Sequence, residues 1–89
     1  MFRNWNSAHE IGSLMTRLAP ISSKKMIVVL LSLGFTEIRR KGSHRFFYHP
    51  DSRLTTVVPD HGSEDLGVGI VRKIVRDIDM SPREFGAHR

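Results

Sequence analysis

The sequence predicts an α+β fold of two layers, with two helices on one face of a three-stranded antiparallel sheet. Three observations predict it. A serine-capped apolar run spans residues 22–33 and stops at Gly34. Short β-rich runs follow, joined by links that suit only antiparallel neighbours. An apolar stripe at helical spacing then closes the order over residues 67–78.

Residues 1–20 are expected to be an extension and residues 21–89 the compact domain, with Pro20 at the change in composition. Within the extension, Ser7 and Glu10 have capping-box spacing. Ile11, Leu14, Met15 and Leu18 continue as a helical stripe, so a short helix is expected there. In the domain, Ser22 or Ser23 caps a first helix that runs to about Leu33. Its run Met26-Ile-Val-Val-Leu-Leu31 is β-branched enough for a strand, but the serines before it and Gly34 after it decide for helix. Lys24 and Lys25 fall in its first turn, where they oppose the helix dipole. The three strands are expected at Phe35–Lys41, His44–His49 and Leu54–Val58. Gly42-Ser43 and Pro50-Asp51-Ser52-Arg53 are the turns between them. Asp60 to Asp65 reads as a loop. The second helix, from about Gly67 to Ile78, carries Val71, Ile74, Val75 and Ile78 on its apolar side. Ser81-Pro82-Arg83-Glu84 is a capping box that starts a last short turn able to bury Phe85.

A chain of 89 residues forms one domain with one small core, too small for a deep, multi-walled active site. It has no cysteine, which excludes disulfides, thiolate zinc sites and iron–sulfur clusters. No apolar run is long enough to span a bilayer and no signal core follows the first residues, so a cytoplasmic, membrane-free protein is expected. Lys and Arg number 14 against 9 Asp and Glu. The excess lies in residues 22–59, which hold seven basic groups against Glu37 and Asp51. A basic middle between near-neutral flanks is the footprint of a polyanion-binding face, although a solvated basic surface has the same composition.

Chemistry centres on His44. It follows Gly42-Ser43 at a strand start, beside Arg39, Arg40, Lys41 and Arg45. Glycine permits close approach of a ligand, the cations suit phosphates, and an imidazole can move a proton near neutral pH. A histidine in a basic stretch is more often structural or merely exposed, so the residue alone does not decide. His61, in Pro59-Asp60-His61-Gly62, is carried by the end of strand three toward the start of strand two, and can approach His44 or simply cap a loop. His44, His49 and His61 lack metal-ligand spacing, and no metal or other cofactor is expected. Glu64-Asp65 reads as a helix-start feature rather than a magnesium site. Phe46 and Tyr48 share one strand face with His44, and Phe47 shares the other with Arg45 and His49. Whichever set avoids the helices is available to stack on unpaired bases.

Taken together these residues resemble the HicA (YcfA-like) toxins of bacterial and archaeal toxin–antitoxin pairs. The resemblance runs over about residues 21–85. It rests on Leu-Gly-Phe ending at Phe35, Arg40-Lys41-Gly42-Ser43-His44, His49-Pro50-Asp51, Val57-Val58-Pro59-Asp60-His61, and Leu66-Gly-Val-Gly-Ile-Val-Arg-Lys-Ile74. It implies an αβββα fold like that of double-stranded-RNA-binding domains. It also implies a metal-independent mRNA endonuclease whose catalytic histidine is His44, and a HicB-like antitoxin partner. Two departures stand out: the extension is foreign to the family, and Gly69-Ile70-Val71-Arg72 replaces the usual Gly-Thr-Leu-Arg.

The expected function is therefore a toxin that cleaves mRNA. His44 acts as base and His61 as a second proton-transfer group. Lys24, Lys25, Arg39, Arg40, Lys41, Gly42, Ser43 and Arg45 hold the RNA backbone. The alternatives of another class are a non-catalytic RNA-binding module and a partner-binding domain of the same fold.

Overall fold

The computed structural model describes residues 18–89, so the helix expected in the extension lies outside the described residues apart from its last position, Leu18. Ile21–Ser22 form a short strand, β1, and Ser23–Ser32 form helix α1. The three predicted strands follow as β2 (Thr36–Lys41), β3 (His44–Tyr48) and β4 (Thr55–Pro59). Then come β5 (Asp65–Leu66), α2 (Val68–Asp77) and α3 (Pro82–Gly86). The α-β-β-β-α order stands, with one addition. Where a loop is expected through Asp65, residues 65–66 pair antiparallel with β1, Ile21 opposite Leu66. Two residues per strand are too few to leave an alternation in the sequence.

The caps show why the helices begin and end where they do. The first serine caps α1: Lys25 N–H donates to Ser22 Oγ at 3.0 Å. Both longer helices end in Schellman motifs. In α1, Phe35 N–H donates to the Leu30 carbonyl at 3.0 Å and Gly34 N–H to Leu31 at 3.1 Å, with Gly34 at φ 98°. In α2, Met80 N–H donates to Val75 at 3.1 Å and Asp79 N–H to Arg76 at 3.0 Å. There Asp79 takes the left-handed position at φ 59°. The α3 capping box forms in both directions between Ser81 and Glu84.

The main sheet runs β2-β3-β4, antiparallel throughout. Its alternation answers the question left by the aromatic strand. Phe47, Thr56 and Val58 are buried beneath both helices, in a core with Met26, Leu30, Val71, Ile74 and Phe85. Full burial of a side chain such as Phe47 contributes about 1.5–3 kcal/mol. Thr56 keeps its hydroxyl satisfied by donating to Asp77 Oδ2 at 3.0 Å. Phe46 and Tyr48 point to the opposite face, which no described element covers, and are half-buried among their neighbours. Near the chain's end, Arg89 donates to the carbonyls of Ala19 and Pro20 at 3.2 and 2.8 Å, clasping the residues that lead into β1.

Register is regular between β3 and β4 but slips once between β2 and β3. Glu37 faces Phe47 and Arg39 faces Phe46, so Ile38 is an extra residue in a bulge. It is 57% exposed.

Gly34 has two reasons to be glycine. Its φ is positive, and a Cβ there would stand 2.8 Å from His49 Nε2. Gly34→Ala should cost roughly 1–3 kcal/mol, read as a lower urea midpoint at unchanged slope. An unchanged midpoint would contradict this account of the α1 terminus.

Candidate active site

The residues singled out by sequence converge on one end of the sheet. Lys41 is registered opposite His44, and His44 opposite Pro59, so the β2–β3 turn and the end of β4 form a single rim. Gly42 leads that two-residue turn at φ 60°, and beyond its two chain neighbours no described atom lies within 4 Å of where its Cβ would be. The turn is therefore open to an incoming group. Asp60 N–H donates to the Ser43 carbonyl at 2.6 Å, which carries the pairing one residue past the strand.

Helix α1 is docked on the same rim. Ser23, fully buried, donates through Oγ to the Pro59 carbonyl at 2.8 Å and accepts from His61 N–H at 3.2 Å. The backbone N–H groups of Ser23 and Lys24 donate to the Glu64 and Gly62 carbonyls at 3.3 and 3.4 Å. These bonds seat the first turn of α1, with exposed Lys24 and Lys25, against the loop that carries His61. His44 and His61 both have exposed side chains, and their backbones are fixed to neighbouring parts of the rim.

The registers also define what the open face presents. Across the strands it has three rows: Lys41, His44 and Pro59; Arg39, Phe46 and Val57; Thr36, Tyr48 and Thr55. None of these positions is acidic. The Arg39 guanidinium carbon lies 5.3 Å from the Phe46 ring centroid, a cation–π contact.

The acids near this end lie with the helix side of the sheet, and there Arg45 departs from expectation. Rather than facing phosphate, it forks onto Glu37, with Nε–Oε2 3.0 Å and Nη2–Oε1 2.7 Å. Its third donor, Nη1, reaches Asp60 Oδ2 at 3.0 Å. A bidentate carboxylate pair of this kind takes up the guanidinium's directed donors. The hydrogen bond from Arg45 is the main cause that holds the Glu37 carboxyl below its ordinary value. Asp60 is lowered first by the Gly62 N–H and then by Arg45. The same partners raise the Arg45 guanidinium. Arg40, directly opposite Arg45, is shared: Nε donates to the Gly42 carbonyl at 3.2 Å, and Nη2 lies 3.7 Å from Asp60 Oδ2. Its side chain stays 56% exposed, so it still offers charge at the turn.

His49 is structural. Nδ1 accepts from the Asp51 and Ser52 N–H groups at 3.1 and 3.3 Å, which leaves the proton on Nε2 to be donated to the Leu33 carbonyl at 3.1 Å. Its ring meets Phe35 edge-on at 5.1 Å. Sequence reasoning missed Ser23, Glu37 and Asp60 as organisers of the site, because each acts on a partner distant in the chain.

Among the described residues, no helix is long and apolar enough to cross a membrane. A family model described as the HicA toxin of bacterial toxin–antitoxin pairs matches residues 23–80, from the first turn of α1 to just past α2. Comparison with curated proteins gives no match.

The Glu37–Arg45–Asp60 cluster makes stability depend on pH. Both carboxyls are lowered from ordinary values of 4.5 and 3.8. Their contribution is complete above those values and is lost as pH falls through the lowered folded ones. Glu37→Gln should therefore melt lower than the parent at neutral pH, and lose less between about pH 5 and about pH 3. Parallel melting curves for the two proteins across that range would count against the cluster.

Proposed function

The chain belongs to the HicA toxin family of bacterial toxin–antitoxin pairs, and from that premise we propose that it is an mRNA endoribonuclease whose base is His44. A ring nitrogen of His44 takes the proton of a ribose 2′-hydroxyl. The 2′-oxygen forms a bond to the adjacent phosphorus, the bond to the 5′-oxygen breaks, and that oxygen leaves with a proton given by His61. The products are a 2′,3′-cyclic phosphate and a 5′-hydroxyl. The nucleophile belongs to the substrate, so the reaction asks for no metal-activated water, and DNA resists for want of the 2′-hydroxyl.

Lys41 and Arg39 stand on the face with His44 and offset the charge gathering on the phosphate. Lys24, Lys25 and Arg40 hold the flanking backbone, and Gly42 and Ser43 let it come close. Binding of this kind weakens steeply with salt. Arg45 serves the site by holding Glu37 and Asp60 away from the RNA. The partner that this reading calls for is a HicB-like antitoxin, and the compartment is the cytoplasm, where mRNA lies. What supports the reading most is the exposed His44 imidazole beside Lys41, on a face whose registered positions hold no carboxylate.

Incubation with a long RNA in EDTA tests it. The parent should cut and leave cyclic-phosphate ends. His44→Ala should lose about 10²–10⁴ of the rate, at an unchanged melting midpoint, because the side chain is exposed. Equal cutting by parent and variant would refute the assignment.

His61 is tested by the double variant. Two groups acting in one step give strongly non-additive losses, so His44→Ala with His61→Ala should be scarcely slower than His44→Ala alone. Independent, multiplying losses would remove His61 from the step.

A further inference from the structure

We propose that the open sheet face is a base-stacking platform, with Phe46 as its centre, that restricts the protein to unpaired RNA. The proposal rests on the nuclease reading only in taking RNA as the ligand. The β3 register puts Phe46 two residues from His44 on the same face, an advance of roughly 6.6 Å along the strand. Phe46 is registered opposite Arg39 on one side and Val57 on the other, and the Arg39 guanidinium already lies over the ring at 5.3 Å. A cation, an aromatic face and an aliphatic flank in one row suit a stacked base whose phosphates lie toward Lys41 and His44. Tyr48, with Thr36 and Thr55 on either side, adds a second ring and three hydroxyls in the next row. The row order runs from phosphate-binding charge to uncharged stacking and hydrogen-bonding groups, as a splayed nucleotide does from backbone to base.

Charge complementarity names the occupant. The face holds Arg39, Lys41 and His44 and no carboxylate among its registered positions. A duplex would leave Phe46 without a role, since bases in an A-form helix are stacked on one another and closed to side chains on a flat sheet. The platform thus makes a single-stranded segment the substrate, even though the αβββα order resembles that of duplex-binding domains.

The test is a binding titration of the full chain carrying His44→Ala, which separates binding from cleavage. The probes are a short fluorescent single-stranded RNA and the same RNA annealed to its complement, at one salt concentration. The single strand should bind more tightly than the duplex. Adding Phe46→Leu should weaken single-strand binding roughly 5- to 150-fold and leave duplex binding unchanged. Phe46→Trp keeps a π face and should retain binding, which guards against a loss caused by misfolding. Equal loss on both RNAs, or none on the single strand, would overturn the platform and leave the face to another occupant such as an antitoxin. If stacking holds while the parent protein cuts nothing, the nuclease reading fails and this one survives.

Discussion

The hydroxyl of Ser23 joins the two layers at the end of the sheet where the candidate site lies. It is fully buried, it donates to the carbonyl that ends β4, and it accepts from the His61 N–H in the following loop. Without it, two backbone groups at the exit from the strand would face a helix with nothing to bond, at about 1–3 kcal/mol each. Because the same residue opens α1, the bond also fixes where that helix begins. Lys24 and Lys25 then follow at the rim with no freedom to be elsewhere. Their charge works against the helix dipole, and the Ser22 cap offsets part of that penalty. A gathered cationic rim thus has a small cost in folding.

The sheet also works as a partition between charges. On one side Arg45 gathers Glu37 and Asp60, which would otherwise repel an approaching phosphate. On the other side Arg39, Lys41 and His44 meet solvent without a counter-charge at their registered positions. The net charge of the chain says little about such a division. A modest excess of cations acts as a strong local field only when the anions near it are held by other cations. Arg45 is therefore as much a part of the electrostatics of the open face as the residues that line it, although it never touches that face.

Local signals made the frame of the fold readable. Serine caps, Gly34, the two hairpin turns and the Ser81 capping box are short-range chemistry, and each appears at its expected residue. The choice between Phe47 and Phe46 as the buried aromatic was not readable, because both periods fit and only the helices decide which face they cover. Arg45 looked like its neighbours Arg40 and Lys41, since nothing near it in sequence announces Glu37 eight residues before or Asp60 fifteen residues after. The end of α2 was readable from Ile78, the last residue of its apolar stripe, although Asp79 rather than glycine takes the left-handed position that follows. His61 was placed beside the His44 strand by topology alone, and the bonds from Ser23 and Asp60 supply the reason for its position.

The bulge at Ile38 carries one more consequence. In an unbroken β2 with Ile38 paired, counting back from Lys41 would set Glu37 beside Arg39 on the open face, and the bulge, by leaving Ile38 out of the pairing, is what turns it toward Arg45. Side-chain chemistry at position 38 is nearly free, since the residue is out in solvent and outside the pairing. β2 should thus accept many exchanges at this point, and removal of the residue would leave the same pairs, Glu37 with Phe47 and Arg39 with Phe46. What the face does not tolerate is Ile38 drawn into the pairing, which would set the Glu37 carboxylate among Arg39 and Lys41.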